Sequence, residues 1–249
     1  MTSSFKNRVA LITGASRGIG RAVAMALAAT GVHVIAMART QGALEKLDDE
    51  IKALGGEATL VPCDLKDFEA LDRLGAAIYE RWGRLDIFIG NGAILGPIAP
   101  LAHVDVKDWD NVMATNVTAN WRLIRALDLP LRTSDAGRVV LMSSGAGNRT
   151  EFSPFWGPYA ASKAAIDALA RTYAAETRNI TPIKVMSVDP GRLRTRMRAQ
   201  AMPGEDPETL RTSEELAPQI LKLCSPDWAH TGKLYHFPSN KVLSFQGPA

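Results

Sequence analysis

A glycine-rich turn between an apolar run and a helical stripe constrains this chain most. Thr13-Gly14-Ala15-Ser16-Arg17-Gly18-Ile19-Gly20 follows Val9-Ala10-Leu11-Ile12 and leads into Ala22, Val23, Ala26 and Leu27. The first run is short and continuously apolar, as a strand buried on both faces requires. The second repeats at helical spacing. Glycines at the join permit a tight turn and close backbone approach. The helix that follows offers free N–H groups and the positive end of its dipole. In that order, these parts make the phosphate-cradling half of a dinucleotide-binding unit. The plain alternative is a structural glycine turn, and a lone glycine pattern would leave it standing.

The alternation continues along the chain. Apolar runs predict strands near 8–13, 32–37, 58–62, 85–90, 137–143, 182–188 and 232–237. Between them, Leu44, Leu47, Ile51 and Leu54 mark one helix ending at Gly55-Gly56, and Phe68, Leu71, Leu74 and Ile78 mark another stopping near Gly83. Longer helices are expected over 106–130 and 157–179. Strands alternating with helices imply an α/β fold: a Rossmann-like, doubly wound parallel sheet of about seven strands with helices on both faces. At 249 residues and 46% hydrophobic, with no linker or repeat, the chain fits a single domain over 1–249. Its least regular stretch, about 190–213, holds Pro190, Gly191, Pro203, Gly204 and Pro207 and suits a substrate loop.

Several function classes are disfavoured. A net charge of +3 is too small to argue for nucleic acid. No apolar run is long enough to span a membrane, and Met1 to Arg8 show no secretory pattern. Cys63 and Cys224 lie far apart without a CxxC partner, so reduced thiols in the cytoplasm are expected. The four histidines show no ligand spacing, so no metal is expected.

Late in the chain stands Tyr159-Ala160-Ala161-Ser162-Lys163. Residues four apart share one helix face. A free phenol has a pKa of roughly 10, and a neighbouring ammonium lowers it. The pair is a plausible device for moving the proton of an alcohol or carbonyl. By itself it is equally an amphipathic helix with a buried ring and a solvated amine.

Together these motifs resemble the short-chain dehydrogenase/reductase family, in family order, from about residue 7 to about 238. The matching parts are the loop at 13–20, Asp64, the loop at 90–93, Asn116, Ser144, Tyr159 with Lys163, and Pro190-Gly191. The resemblance implies a nicotinamide cofactor and carbonyl/alcohol redox chemistry on a small-molecule substrate. It assigns Tyr159 as general acid or base and Lys163 as the cation that lowers its pKa and holds the nicotinamide ribose. It gives Ser144, rather than Ser143, the substrate oxygen, and Asn116 a relay water. Gly14, Ser16, Arg17, Gly18, Ile19, Gly20, Asn91 and Gly92 would line the cofactor, with Asp64 and Leu65 at the adenine. Pro190, Gly191, Leu193 and Thr195 would meet the carboxamide. Family members commonly form homodimers or homotetramers, here through the helices near 106–130 and 157–179.

Charge selects the cofactor. Strand two, Val32 to Arg39, ends without the acid that binds a ribose 2′-hydroxyl. Arg39 and Arg17 instead suit a 2′-phosphate, so NADP(H) is expected. The chain departs from the family at Gly90-Asn91-Gly92-Ala93, where Asn-Asn-Ala-Gly is usual. Ala93 adds a Cβ where glycine allows close approach, and Gly92 is positioned to compensate. Phe152, Phe155 and Trp156 precede Tyr159 and suit either an apolar substrate wall or packing at a surface. Arg192, Arg194, Arg196 and Arg198 suit either an acidic substrate or a solvated basic loop. The expected activity is NADP(H)-dependent interconversion of a carbonyl and an alcohol. A non-catalytic NADP(H)-binding sensor or scaffold, or an epimerase or dehydratase on the same fold, is the competing reading.

Overall fold

The computed structural model describes residues 5–148 and 154–245, so Phe152 lies outside the described residues. Seven strands run parallel: β1 (Val9–Thr13), β2 (His33–Ala38), β3 (Ala58–Pro62), β4 (Ile87–Gly90), β5 (Arg138–Met142), β6 (Lys184–Asp189) and β7 (Lys233–His236). An eighth, β8 (Lys241–Leu243), returns antiparallel on β7. It escapes sequence reading because it has three residues, sits at the sheet edge and carries no apolar run. Asn240, at φ 52, makes the turn into it.

The strand order is β3-β2-β1-β4-β5-β6-β7-β8. Winding reverses between β1 and β4, and a crevice opens there beyond the carboxyl ends of the strands. Alternate residues of β1 serve opposite cores. Ala10 and Ile12 face one with α1 (Gly18–Ala28), α2 (Gln41–Ala53) and α9 (Ser213–Cys224). Val9 and Leu11 face the other with α3 (Phe68–Trp82), α5 (Ala119–Arg132) and α7 (Gly157–Thr177). Leu54 leaves the expected α2 stripe: it follows the helix end and is 55% exposed.

The helix expected over 106–130 is interrupted. It comprises α4 (Val106–Met113), a π turn over Ala114–Thr118, and α5. Such a wide turn re-aims a side chain, and here it carries Asn116. The 190–213 stretch is more ordered than its composition suggests. It contains α8 (Arg196–Ala201) and a short helical turn, Pro207–Thr209, and Leu193 pairs with Arg211 to close it into a flap.

At the opposite end of the sheet, fully buried Asp86 accepts hydrogen bonds from Val9 N, Arg8, Arg84 and Ser134. It ties the starts of β1 and β4 to the segment before β5, a structural role remote from the crevice. Among the described residues, no helix is long and apolar enough to cross a membrane.

Candidate active site

The crevice begins with the glycine loop. Gly14 and Gly18 are left-handed, with φ +64 and +53. A Cβ on Gly20 would stand 2.3 Å from Gly14 O and 2.6 Å from Asn91 Nδ2. These glycines let two loops touch. Thr13 Oγ1 accepts from Asn91 N (3.0 Å) and Gly92 N (2.9 Å), while Asn91 Nδ2 donates to Thr13 O at 2.9 Å. Asn91 therefore staples β4 to the glycine loop. Gly92 takes the close approach that the family places one residue later: its Cβ would meet Leu65 Cδ1 at 2.6 Å. Thr13, whose hydroxyl joins the loops, was missing from the expected site residues.

Gly18 is different. Only Thr195 Cγ2, at 3.7 Å, lies near the position of a Cβ there. Exposed Arg17 is the N-cap of α1, whose first turn holds no acid, and Ile19 packs on the core behind. Half-exposed Ser16 completes the loop. The Arg39 side chain is 62% exposed, with Asp64 at 3.9 Å. Asp64 also accepts from Lys66 N. Open space at a helix N-terminus, flanked by two arginines, fits a polyanion such as a phosphorylated dinucleotide.

Across the crevice, α7 carries buried Tyr159 and Lys163. Lys163 Nζ donates to Met142 O at 2.7 Å and lies 5.6 Å from the Tyr159 ring centroid. Burial pulls the Lys163 ammonium down to about 8, with Asp167 opposing. Burial pushes the Tyr159 phenol up to about 12; a hydrogen bond with Ser144 pulls it back and Asp189 pushes it further. This corrects the expectation of a lowered phenol. Desolvation outweighs the Ser144 hydrogen bond, and the phenol keeps its proton at neutral pH. Ser144 Oγ also accepts from Ala146 N, at 3.3 Å. Buried Ser143 turns toward backbone, its hydroxyl 3.5 Å from Lys163 O.

Asn116 is fully committed as a donor. Its Nδ2 donates to Ile94 O (2.9 Å) and Ser162 Oγ (3.0 Å), and its Oδ1 accepts from Ile94 N (2.9 Å). Ser162 in turn donates to Tyr159 O at 2.7 Å, so Asn116 anchors the turn that bears the phenol. The Asn116 carbonyl accepts from Asn120 Nδ2 at 2.7 Å. Asn120, unremarked in the sequence, explains the departure at Gly90. A Cβ there would lie 2.4 Å from Asn120 Oδ1 and 2.7 Å from Leu141 Cδ2. The signal was an asparagine one turn beyond Asn116, paired with a glycine where the family carries asparagine.

Beyond β6, Asp189 Oδ1 accepts from Gly191 N at 3.0 Å, next to Pro190. Gly191 has φ +66, and a Cβ there would meet Pro238 Cγ at 2.4 Å. Leu193 is buried in the core, leaving its backbone to face outward contacts. Thr195 Oγ1 accepts from Arg198 N at 3.2 Å as the N-cap of α8, and its methyl faces Gly18. The flap thus begins over the glycine loop. Three of its arginines pair within it: Arg194 with Glu208 at 3.0 Å, Arg198 with Glu205 at 2.5 Å, and Arg192 with Glu205 at 3.6 Å.

Gly90→Ala is expected to lower unfolding free energy by about 1–3 kcal/mol through overpacking. Adding Asn120→Ala should return part of that loss. Chemical denaturation of the two single variants and the double variant checks this. Strict additivity would show that Gly90 and Asn120 do not share one space.

Residues 8–206 match the family model described as short chain dehydrogenase. The chain is 35% identical over 227 residues to YciK, an oxidoreductase of Escherichia coli K12, covering 89% of this chain and 87% of that one. A short chain dehydrogenase structure from Pseudomonas syringae superposes with a TM-score of 0.91 at 35% identity, covering 95% of this chain and 97% of that one. Another, from Escherichia coli CFT073 and complexed with NADPH, gives 0.88 at 33% identity, covering 95% and 99%. Matched along most of its length in both sequence and fold, the chain belongs to the short-chain dehydrogenase family.

Proposed function

We propose that this protein is an NADP(H)-dependent oxidoreductase that interconverts a carbonyl and an alcohol. The observation that carries the reading is the Tyr159 phenol, hydrogen-bonded with Ser144 and close to a buried ammonium, at the switch-point crevice. The nicotinamide supplies or accepts hydride. In reduction, Tyr159 gives its proton to the carbonyl oxygen as the new C–H bond forms, and in oxidation it takes the proton back. Ser144 steadies that oxygen as negative charge develops. Lys163 supplies positive charge beneath the phenol, and Asn116 with Ser162 fixes the α7 turn. Besides anchoring that turn, Asn116 keeps the relay-water role that the family resemblance implies.

Arg17 and Arg39 favour NADP(H) over NAD(H), because each offers a cation where a 2′-phosphate needs charge-assisted bonds. The related structure complexed with NADPH supports this choice. Asp64 and Leu65 border the adenine end, and the flap over residues 190–213 covers the reacting end. Wild type should oxidise NADPH in the presence of some aldehyde, ketone or quinone. Tyr159→Phe should lose about 10²-fold or more in kcat while still binding NADPH. Arg39→Ala should weaken NADPH binding about tenfold and NADH binding little. Tight NADPH binding by wild type without turnover in either direction would favour a sensor or scaffold instead.

The same reading includes a homodimer or homotetramer. A groove of about 460 Å³ between α5 and α7 is walled by Trp121, Ile124, Leu169 and Tyr173, with Arg125 and Glu176 at its edge. Self-complementary pairing across a two-fold axis suits this mixture. Ile166 and Ala170, on the same helix, face their own sheet. Light scattering should give two or four times the chain mass, and Trp121→Glu should reduce it. A monomeric mass across micromolar wild-type concentrations contradicts the assembly.

A further inference from the structure

We infer that the substrate is an uncharged carbonyl compound with an apolar body, gripped by Trp156, Phe155 and Leu101, and that the flap arginines do not recruit an acidic carrier. The inference rests on the redox reading above and adds the chemical class that the site selects.

Charge in the flap is the first argument. Four arginines over 192–198 offer an obvious landing for phosphate or carboxylate. Glu205 takes both Arg198 nitrogens, at 2.5 and 2.7 Å, and has Arg192 at 3.6 Å. These guanidinium groups hold the Glu205 carboxyl below its usual range. Glu208 takes Arg194. Three of the four flap arginines are therefore paired with the flap's own acids, and Arg196 is the one outside these pairs. A cavity of about 450 Å³ remains there, in which apolar Ala199, Met202, Pro203 and Leu210 stand beside Arg196 and the paired Arg194, Arg198 and Glu205.

The entrance of α7 supplies the second argument. The Trp156 ring stands edge-on to the Tyr159 ring, with centroids 5.8 Å apart and planes at 71°. Beside it, Phe155 is 54% exposed and Leu101 is 65% exposed. Large apolar side chains left in water around Trp156, whose ring adjoins that of Tyr159, mark a surface that something apolar covers.

That wall is built rather than loose. Ala99 N donates to Phe155 O at 3.1 Å, joining the loop after β4 to the entrance of α7. Phe155 is held at φ 70, a strained conformation for an aromatic residue. Leu101 lies directly over Gly157, where a Cβ would meet its Cδ1 at 2.5 Å. Two loops are locked together, and the product of that locking is an outward apolar face at the entrance of α7, next to Trp156. Sequence alone left Phe155 and Trp156 open between substrate wall and surface packing; this geometry favours the wall.

The test compares matched pairs: nonanal with its ω-carboxylate, and benzaldehyde with its para-carboxylate. Each is followed by loss of NADPH absorbance. The neutral member should have the higher kcat/KM by about tenfold or more, since burying a charge without a partner is costly. Trp156→Ala should lower kcat/KM for the neutral members about tenfold, mainly through KM, with NADPH affinity unchanged. Arg196→Ala should leave the ratio within each pair unchanged. Equal or better use of the carboxylates, abolished by Arg196→Ala, overturns the inference. Calorimetric titration of the same pairs into the NADPH-loaded protein reads preference without turnover. Tighter binding of carboxylates, or binding of neither member, counts against the inference. Binding of the neutral members without hydride transfer would instead overturn the redox reading.

Discussion

The site depends on an ammonium held out of water. Lys163 is almost wholly buried, and its Nζ donates a hydrogen bond to the Met142 carbonyl at the end of β5. Removing such a charge from solvent costs several kcal/mol, only partly offset by one carbonyl and by Asp167 a turn away. The surrounding packing makes this arrangement persist. Asn116, presented by a π turn, holds Ile94 on one side and Ser162 on the other, and Ser162 holds the turn that carries Tyr159. Lys163 and Tyr159 thus sit in one dry environment with opposite consequences. Burial eases the proton off the ammonium and keeps it on the phenol. A protonated phenol is the form that carbonyl reduction consumes.

The second constraint is backbone proximity around the cofactor crevice. Thr13, Gly14, Gly20, Asn91 and Gly92 bring the ends of β1 and β4 into contact. That contact leaves the α1 N-terminus and Gly18 facing open space. Thr195 reaches the same Gly18 from the flap, so the cradle and the cover share a point of contact.

Elements with strong local signatures were legible in sequence. The glycine loop needed a strand before it and a helix after it, and both are visible in nine residues on either side. The central parallel strands are buried on two faces and show as apolar runs, while half-buried β3 at the sheet edge shows through Leu60 and Val61. Features made by tertiary fit were not legible. The π turn leaves no compositional mark. The Gly90–Asn120 exchange joins residues thirty apart, and only the space between β4, β5 and α5 relates them. The flap arginines looked free because their acids lie several residues onward, across a turn. The direction of the Tyr159 shift depends on burial, which spacing on a helix does not report. Where two effects of opposite sign act on one phenol, only the structure says which is larger.

The most direct measurement is the Lys163 pKa, read by carbon NMR of protein labelled at lysine Cε, with Lys163→Met identifying the resonance. The structure predicts titration near 8, below the ordinary 10.5. Between those values the unfolded chain binds more protons than the folded one, so this group's contribution to stability rises with pH across that window. A resonance titrating at 10.5 or above would mean that the ammonium is solvated or firmly paired. The dry, burial-controlled site described for Tyr159 and Lys163 would then be wrong.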